Sequence, residues 1–144
     1  ITEAVTAESG LQDFSAHQVT IRSLVNPRHY KDSRELLRKG LFKQEAPLNH
    51  FENDPAIWGL RMVFPPQEPG EDSPEFTEEK PNANALRIES YAQDPRSLFL
   101  ENQSSFGQIN VASTLGEIEE NITAAYEFLT QRGLGFVRSF DQPN

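Results

Sequence analysis

Ala85-Leu-Arg-Ile-Glu-Ser-Tyr91 and Ser97-Leu-Phe-Leu-Glu-Asn-Gln103, separated by a turn containing Gln93-Asp94-Pro95, decide the fold. Both runs read as strands, short and bounded by turn-forming residues. A short connection rich in turn-forming residues makes the two runs an antiparallel hairpin. Pairing Ile88 with Leu100 gathers Leu86, Ile88, Leu98 and Leu100 on one face and sets Arg87 opposite Glu101. Sliding the pairing by two residues would set Glu89 against Glu101, a like-charge pair, so the first register is expected.

Outward from this hairpin a period of two marks further strands. Ile57–Phe64 places Trp58, Leu60, Met62 and Phe64 on one side, with Gly59 and Arg61 on the other. His17–Asn26 places Val19, Ile21 and Val25 on one face, opposite Thr20 and Arg22, and stops at Asn26-Pro27. A last short strand is expected at Phe136–Phe140. Thr114–Arg132 instead has helical spacing: Leu115, Ile118, Ile122, Ala125, Tyr126 and Leu129 fall within an arc of about 100°. Thr114 and Glu117 have capping-box spacing, and Gly133 reads as the helix stop. Asp32–Lys39 is a shorter helix with Asp32 and Glu35 as its capping box and Gly40 as its stop. The segments Leu36–Phe42 and Leu129–Phe136 echo each other, and read as two ordinary helix ends.

These readings make an α+β domain: a mostly antiparallel sheet of four to five strands, with helix 114–132 packed on one face and a short helix near 32–39. The expected core is Val19, Ile21, Trp58, Leu60, Met62, Leu86, Ile88, Leu98, Leu100, Ile118, Ile122 and Leu129. On this reading Ile122→Asp unfolds the protein.

A length of 144 residues suits a single domain over 1–144. The absence of cysteine excludes a disulfide scaffold, a thiolate metal site and a Cys nucleophile. No run approaches a membrane span and no signal-peptide pattern opens at Ile1, so a soluble, cytoplasmic protein is the expectation. The net charge of −9 is unevenly placed. Residues 1–16 carry Glu3, Glu8 and Asp13 without a base, and 65–82 carries six acids against Lys80. The rest is close to neutral. An acidic arm and a proline-rich acidic loop, both expected to be solvated and disordered, account for the excess better than a docking segment for a basic partner.

Candidate functional residues fall in three groups. Lys31, Arg34 and Arg38 lie within about 60° of one another on a helix, a cationic stripe able to contact an anion. The acidic total and the lack of an aromatic platform motif argue against nucleic acid, and an ordinary solvated face is the competing reading. If loop 65–82 folds back over the stripe, the protein masks its own cationic patch. Trp58, Tyr91, Phe99 and Tyr126 would line an aromatic pocket if sheet and helix enclose one. His50, Glu52 and Asp54 alternate, so an extended backbone would point three possible metal ligands one way, although a polar loop is the favoured reading. His17 has the inward parity of Val19 and Ile21, and His29 sits beside Arg28 in a turn. Asn102-Gln103-Ser104 and Asn121-Ile122-Thr123 match the glycosylation pattern and read as chance. Nucleophile-elbow, zincin, Walker and dinucleotide-binding motifs are missing. The expectation is a non-enzymatic binding or protein-interaction domain with no cofactor, its partner a protein or a small anionic ligand. The rival is a small-molecule-binding or catalytic domain using the aromatic pocket.

Overall fold

The computed structural model describes residues 13–14, 17–44, 48, 50–65, 83–106, 109–110 and 114–143. Loop 66–82 and most of the amino-terminal arm therefore lie outside the described residues, as do the side chains of His17 and Thr114. Four strands, β2 (His17–Val25), β3 (Gly59–Phe64), β4 (Asn84–Ser90) and β5 (Leu98–Phe106), form an antiparallel sheet in the order β2-β5-β4-β3. Two short strands, β1 (Asp13–Phe14) and β6 (Ile109–Asn110), pair with each other in a separate ribbon.

The hairpin register is the one expected: Ile88 pairs with Leu100 and Arg87 with Glu101. Arg22 completes that row from β2, its Nε 2.6 Å from Glu101. On the other face Leu86, Ile88, Leu98 and Leu100 are buried. The same parity carries two polar residues, Asn102 and Ser104, into the core. Asn102 Nδ2 lies within hydrogen-bond range of Ser104 Oγ at 2.9 Å, Asn84 Oδ1 at 3.3 Å and the Ala125 carbonyl at 3.1 Å. Burial this complete also removes Asn102 as a glycan acceptor in the folded protein.

Helices cover this one face. Helix α1 (Ser33–Glu35) starts where expected, with Asp32 accepting from the Glu35 amide at 2.8 Å. It does not stop at Gly40. The chain continues as a π-helical turn over Leu36–Leu41, and the reversal comes at Lys43, whose φ of 50° is left-handed. Gly40 is required for closeness: a Cβ there would lie 3.0 Å from the Phe140 carbonyl and 3.2 Å from the Tyr30 hydroxyl.

Three sequence expectations fail in the carboxy-terminal helical stretch. Helix α2 (Thr114–Glu127) runs into a π-helical segment, Phe128–Gly133, and on into α3 (Leu134–Phe140). Gly133 keeps right-handed helical angles, φ −64° and ψ −51°, so it stops nothing. The strand expected at Phe136–Phe140 is helix, which buries Val137 and stacks Phe136 edge-on against Phe140. Of the two echoing segments Leu36–Phe42 is a helix end, closing at Phe42, whereas Leu129–Phe136 runs on into α3; both contain a π-helical turn with a buried glycine.

The third failure is rotational. Ala125 and Leu129 are buried, but Leu115, Ile122 and Tyr126 are 59%, 45% and 56% exposed. Ile122 is therefore not core, and Ile122→Asp loses its reason to unfold the chain. The cause lies on both sides of the interface. Asn102 binds the Ala125 carbonyl, and the π-helical segment brings Phe128 onto Phe64 with ring centroids 5.6 Å apart. These contacts hold the Ala125–Leu129 side against the sheet, leaving the rest of the apolar arc outside. Sequence reading also omitted Leu36, Leu37 and Val137, which complete the core cluster.

Candidate functional site

Ser33 ties the start of α1 to the hairpin turn, its amide and hydroxyl donating to the Pro95 carbonyl at 2.8 and 2.7 Å. Leu36 and Leu37, both buried, hold the following π turn on the core. With that inner side fixed, Lys31, Arg34 and Arg38 are left exposed.

Trp58 reaches the same place from another element. It precedes β3 and extends its pairing: the Ser90 amide donates to the Trp58 carbonyl at 2.8 Å, and the Trp58 amide donates to Ser90 Oγ at 3.0 Å. Gly59 allows this approach, since a Cβ there would lie 2.8 Å from the Ile88 carbonyl and 2.6 Å from Glu89 Cγ. Phe42, just past the π turn, packs against the indole with centroids 5.8 Å apart. The result is a cleft of about 300 Å³ lined by Lys31, Asp32, Arg34, Glu35, Arg38, Leu48, Asp54, Pro55 and Trp58.

Three acids line the cleft beside three bases, and what each acid does decides the site's character. Asp32 caps α1 and lies 3.7 Å from Arg34. Glu35 accepts from Lys39 Nζ at 2.7 Å and from the Lys31 amide at 2.9 Å. The Lys39 ammonium, followed by the Lys31 amide, holds its carboxyl below the usual carboxylate range. Asp54 is exposed on the loop before Trp58. Arg38 makes no ion pair among the described residues. Helix capping and the Lys39 pair thus occupy two of the three carboxylates, leaving the Arg38 guanidinium, in a cleft that Trp58 also lines, open to an outside anion.

The other aromatic candidates do not join Trp58. Tyr91 and Phe99 stack on each other, centroids 6.2 Å apart, with the Arg87 guanidinium 5.1 Å from the Phe99 ring centre. Phe99 belongs to the sheet face away from the helices, and Tyr126 points outward from α2, so sheet and helix enclose no common aromatic pocket. His50, Glu52 and Asp54 are exposed, and the chain turns and bends through His50–Asn53 rather than extending. The alternation that would have aligned them is therefore not realised. Among the described residues no group of three or more His, Cys, Asp or Glu side chains could hold a metal ion.

One polar centre escaped the sequence reading. Asp141, with its side chain 2% exposed, accepts from the Arg28 amide at 2.8 Å and the His29 amide at 3.0 Å. Its own carbonyl is 2.8 Å from His29 Nδ1. This latch fastens the end of α3 to the loop leading into α1. Beside it, Tyr30, Lys39, Gly40, Lys43, Phe140 and Gln142 contribute to a second, larger cleft of about 610 Å³. Only the one-residue reach of Asp141 past α3 could have signalled it, and the expected strand concealed that.

No helix among the described residues is long and apolar enough to cross a membrane. Compared with protein-family models, curated proteins and solved structures, the chain matches none.

Proposed function

We propose that this chain is a non-enzymatic binding domain, and that the cleft between α1 and Trp58 takes an anionic group of a partner protein or small ligand. The observation that carries the reading is convergence. Lys31, Arg34 and Arg38 come from one segment and Trp58 from another, yet they line one concavity in which Arg38 has no internal partner. A guanidinium in a cleft that an indole also lines suits a carboxylate or phosphate, with the indole supplying apolar contact. The dispersed aromatic residues give no comparable support to a catalytic pocket.

The single tryptophan makes the test direct, because its emission reports on the cleft alone. Titration with inorganic phosphate and with a Glu-rich peptide is expected to give a saturable emission change in at least one series. Arg38→Ala is expected to weaken the response about tenfold, or ~1.4 kcal/mol. Added salt weakens it further. A wild-type protein that responds to neither anion, or an Arg34→Ala/Arg38→Ala variant that responds identically, defeats the proposal.

A further inference from the structure

We infer that the outer stripe of α2 is a second interaction surface, shaped for an amphipathic partner helix with basic flanks. Leu115, Ile122 and Tyr126 are the large apolar residues of α2 that stand more than two-fifths exposed. Their spacing of seven and four places them within about 40° of one another around the helix axis, a continuous line running along it. Together they offer roughly 300 Å² of exposed side chain, a patch of the size that on a monomer is often functional.

The charge beside that line selects the occupant. Glu119 borders it, and Glu120 and Glu127 follow round the exposed side of the helix. None of these three forms an ion pair among the described residues. The segment has no base before Arg132. A second copy of this chain would bring the same carboxylates to the seam and so set like charges together. The patch is also small beside the ~600–1,000 Å² per partner that a stable dimer buries. A partner helix with apolar residues at i, i+3 or i+4 and i+7, and Lys or Arg alongside, meets both the apolar line and the acidic border. The surface is separate from the cationic cleft: α2 packs on β2 and β5, whereas the cleft lies beside the start of β3.

The test uses the full chain and two synthetic peptides sharing one apolar helical stripe, one with Lys at the remaining positions and one with Glu. The Lys peptide is expected to bind by isothermal titration and the Glu peptide at least tenfold more weakly. Ile122→Ser and Tyr126→Ser should each weaken the Lys peptide about tenfold while leaving the melting temperature within a few degrees. Glu119→Lys/Glu120→Lys should reverse the preference between the peptides. Equal binding of the two peptides, or undiminished binding by Ile122→Ser, overturns the inference. So does a concentration-dependent dimer in sedimentation that Ile122→Ser abolishes, since the occupant is then a second copy.

Discussion

Leu129 and Ile122 lie on the same predicted apolar arc, yet only one is buried, and truncating each to alanine separates the two orientations of the helix. Leu129 is 2% exposed and contacts the central cluster. Removing its side chain there loses transfer energy and leaves a cavity, at a cost of about 2–5 kcal/mol. Ile122 is 45% exposed, so its loss returns little area to water. About 1 kcal/mol is expected, partly offset by the better helix propensity of alanine, worth a few tenths. For a domain of this size each kcal/mol moves Tm by roughly 3–4 °C. Leu129→Ala should therefore lower Tm by on the order of 10 °C and Ile122→Ala by no more than ~3 °C, as followed by far-ultraviolet circular dichroism. Equal losses, or a larger loss at Ile122, would refute the orientation and with it the exposed stripe on α2.

Other consequences can be checked on the same material. Asp141→Ala strands two amide donors and should cost about 2–3 kcal/mol, with hydrogen exchange quickening first at Arg28 and His29. The lowered pKa of Glu35 means that its pairing stabilises the fold above the ordinary value of 4.5 and is lost as pH falls through the lowered one. Lys39→Ala should accordingly make acid destabilisation shallower below pH 4.5, measured as the slope of Tm against pH. Deleting residues 67–80 tests whether the acidic loop masks the cationic stripe. Exposed ion pairs between such a loop and the stripe are worth only about 0–1 kcal/mol each and are screened by salt. The deletion should alter anion binding only as much as charge neutralisation of the intact loop does. A larger gain on deletion would establish masking.

What the sequence disclosed and what it concealed follow from how local each cause is. The sheet was legible because alternation specifies a face, and the like-charge penalty at Glu89–Glu101 selects a register without any tertiary knowledge. Asp32 was legible as a cap because capping is settled within four residues. The glycines misled for the opposite reason. Gly40 and Gly133 resemble helix stops locally, but each lies under neighbours remote in sequence, Phe140 and Tyr30 in one case and Leu86 in the other. Only those contacts explain why each glycine sits inside its helical segment and not just after it. The apolar arc of α2 was read correctly as an arc, but its rotation depends on Asn102, a polar residue that strand parity carries into the core. As for the candidate site, the cationic stripe and Trp58 were each visible, while their meeting required the Ser90–Trp58 pairing and the continuation past Gly40.

The cleft is tested most directly by a two-dimensional ¹H–¹⁵N spectrum, in which the sole indole gives one resonance. On adding a Glu-rich peptide, that resonance and the amides of residues 31–38 should move together along one saturation curve, while residues 115–127 stay still. An indole that does not move while other regions shift, or shifts scattered evenly over the surface, would contradict the assignment of this cleft as the binding site.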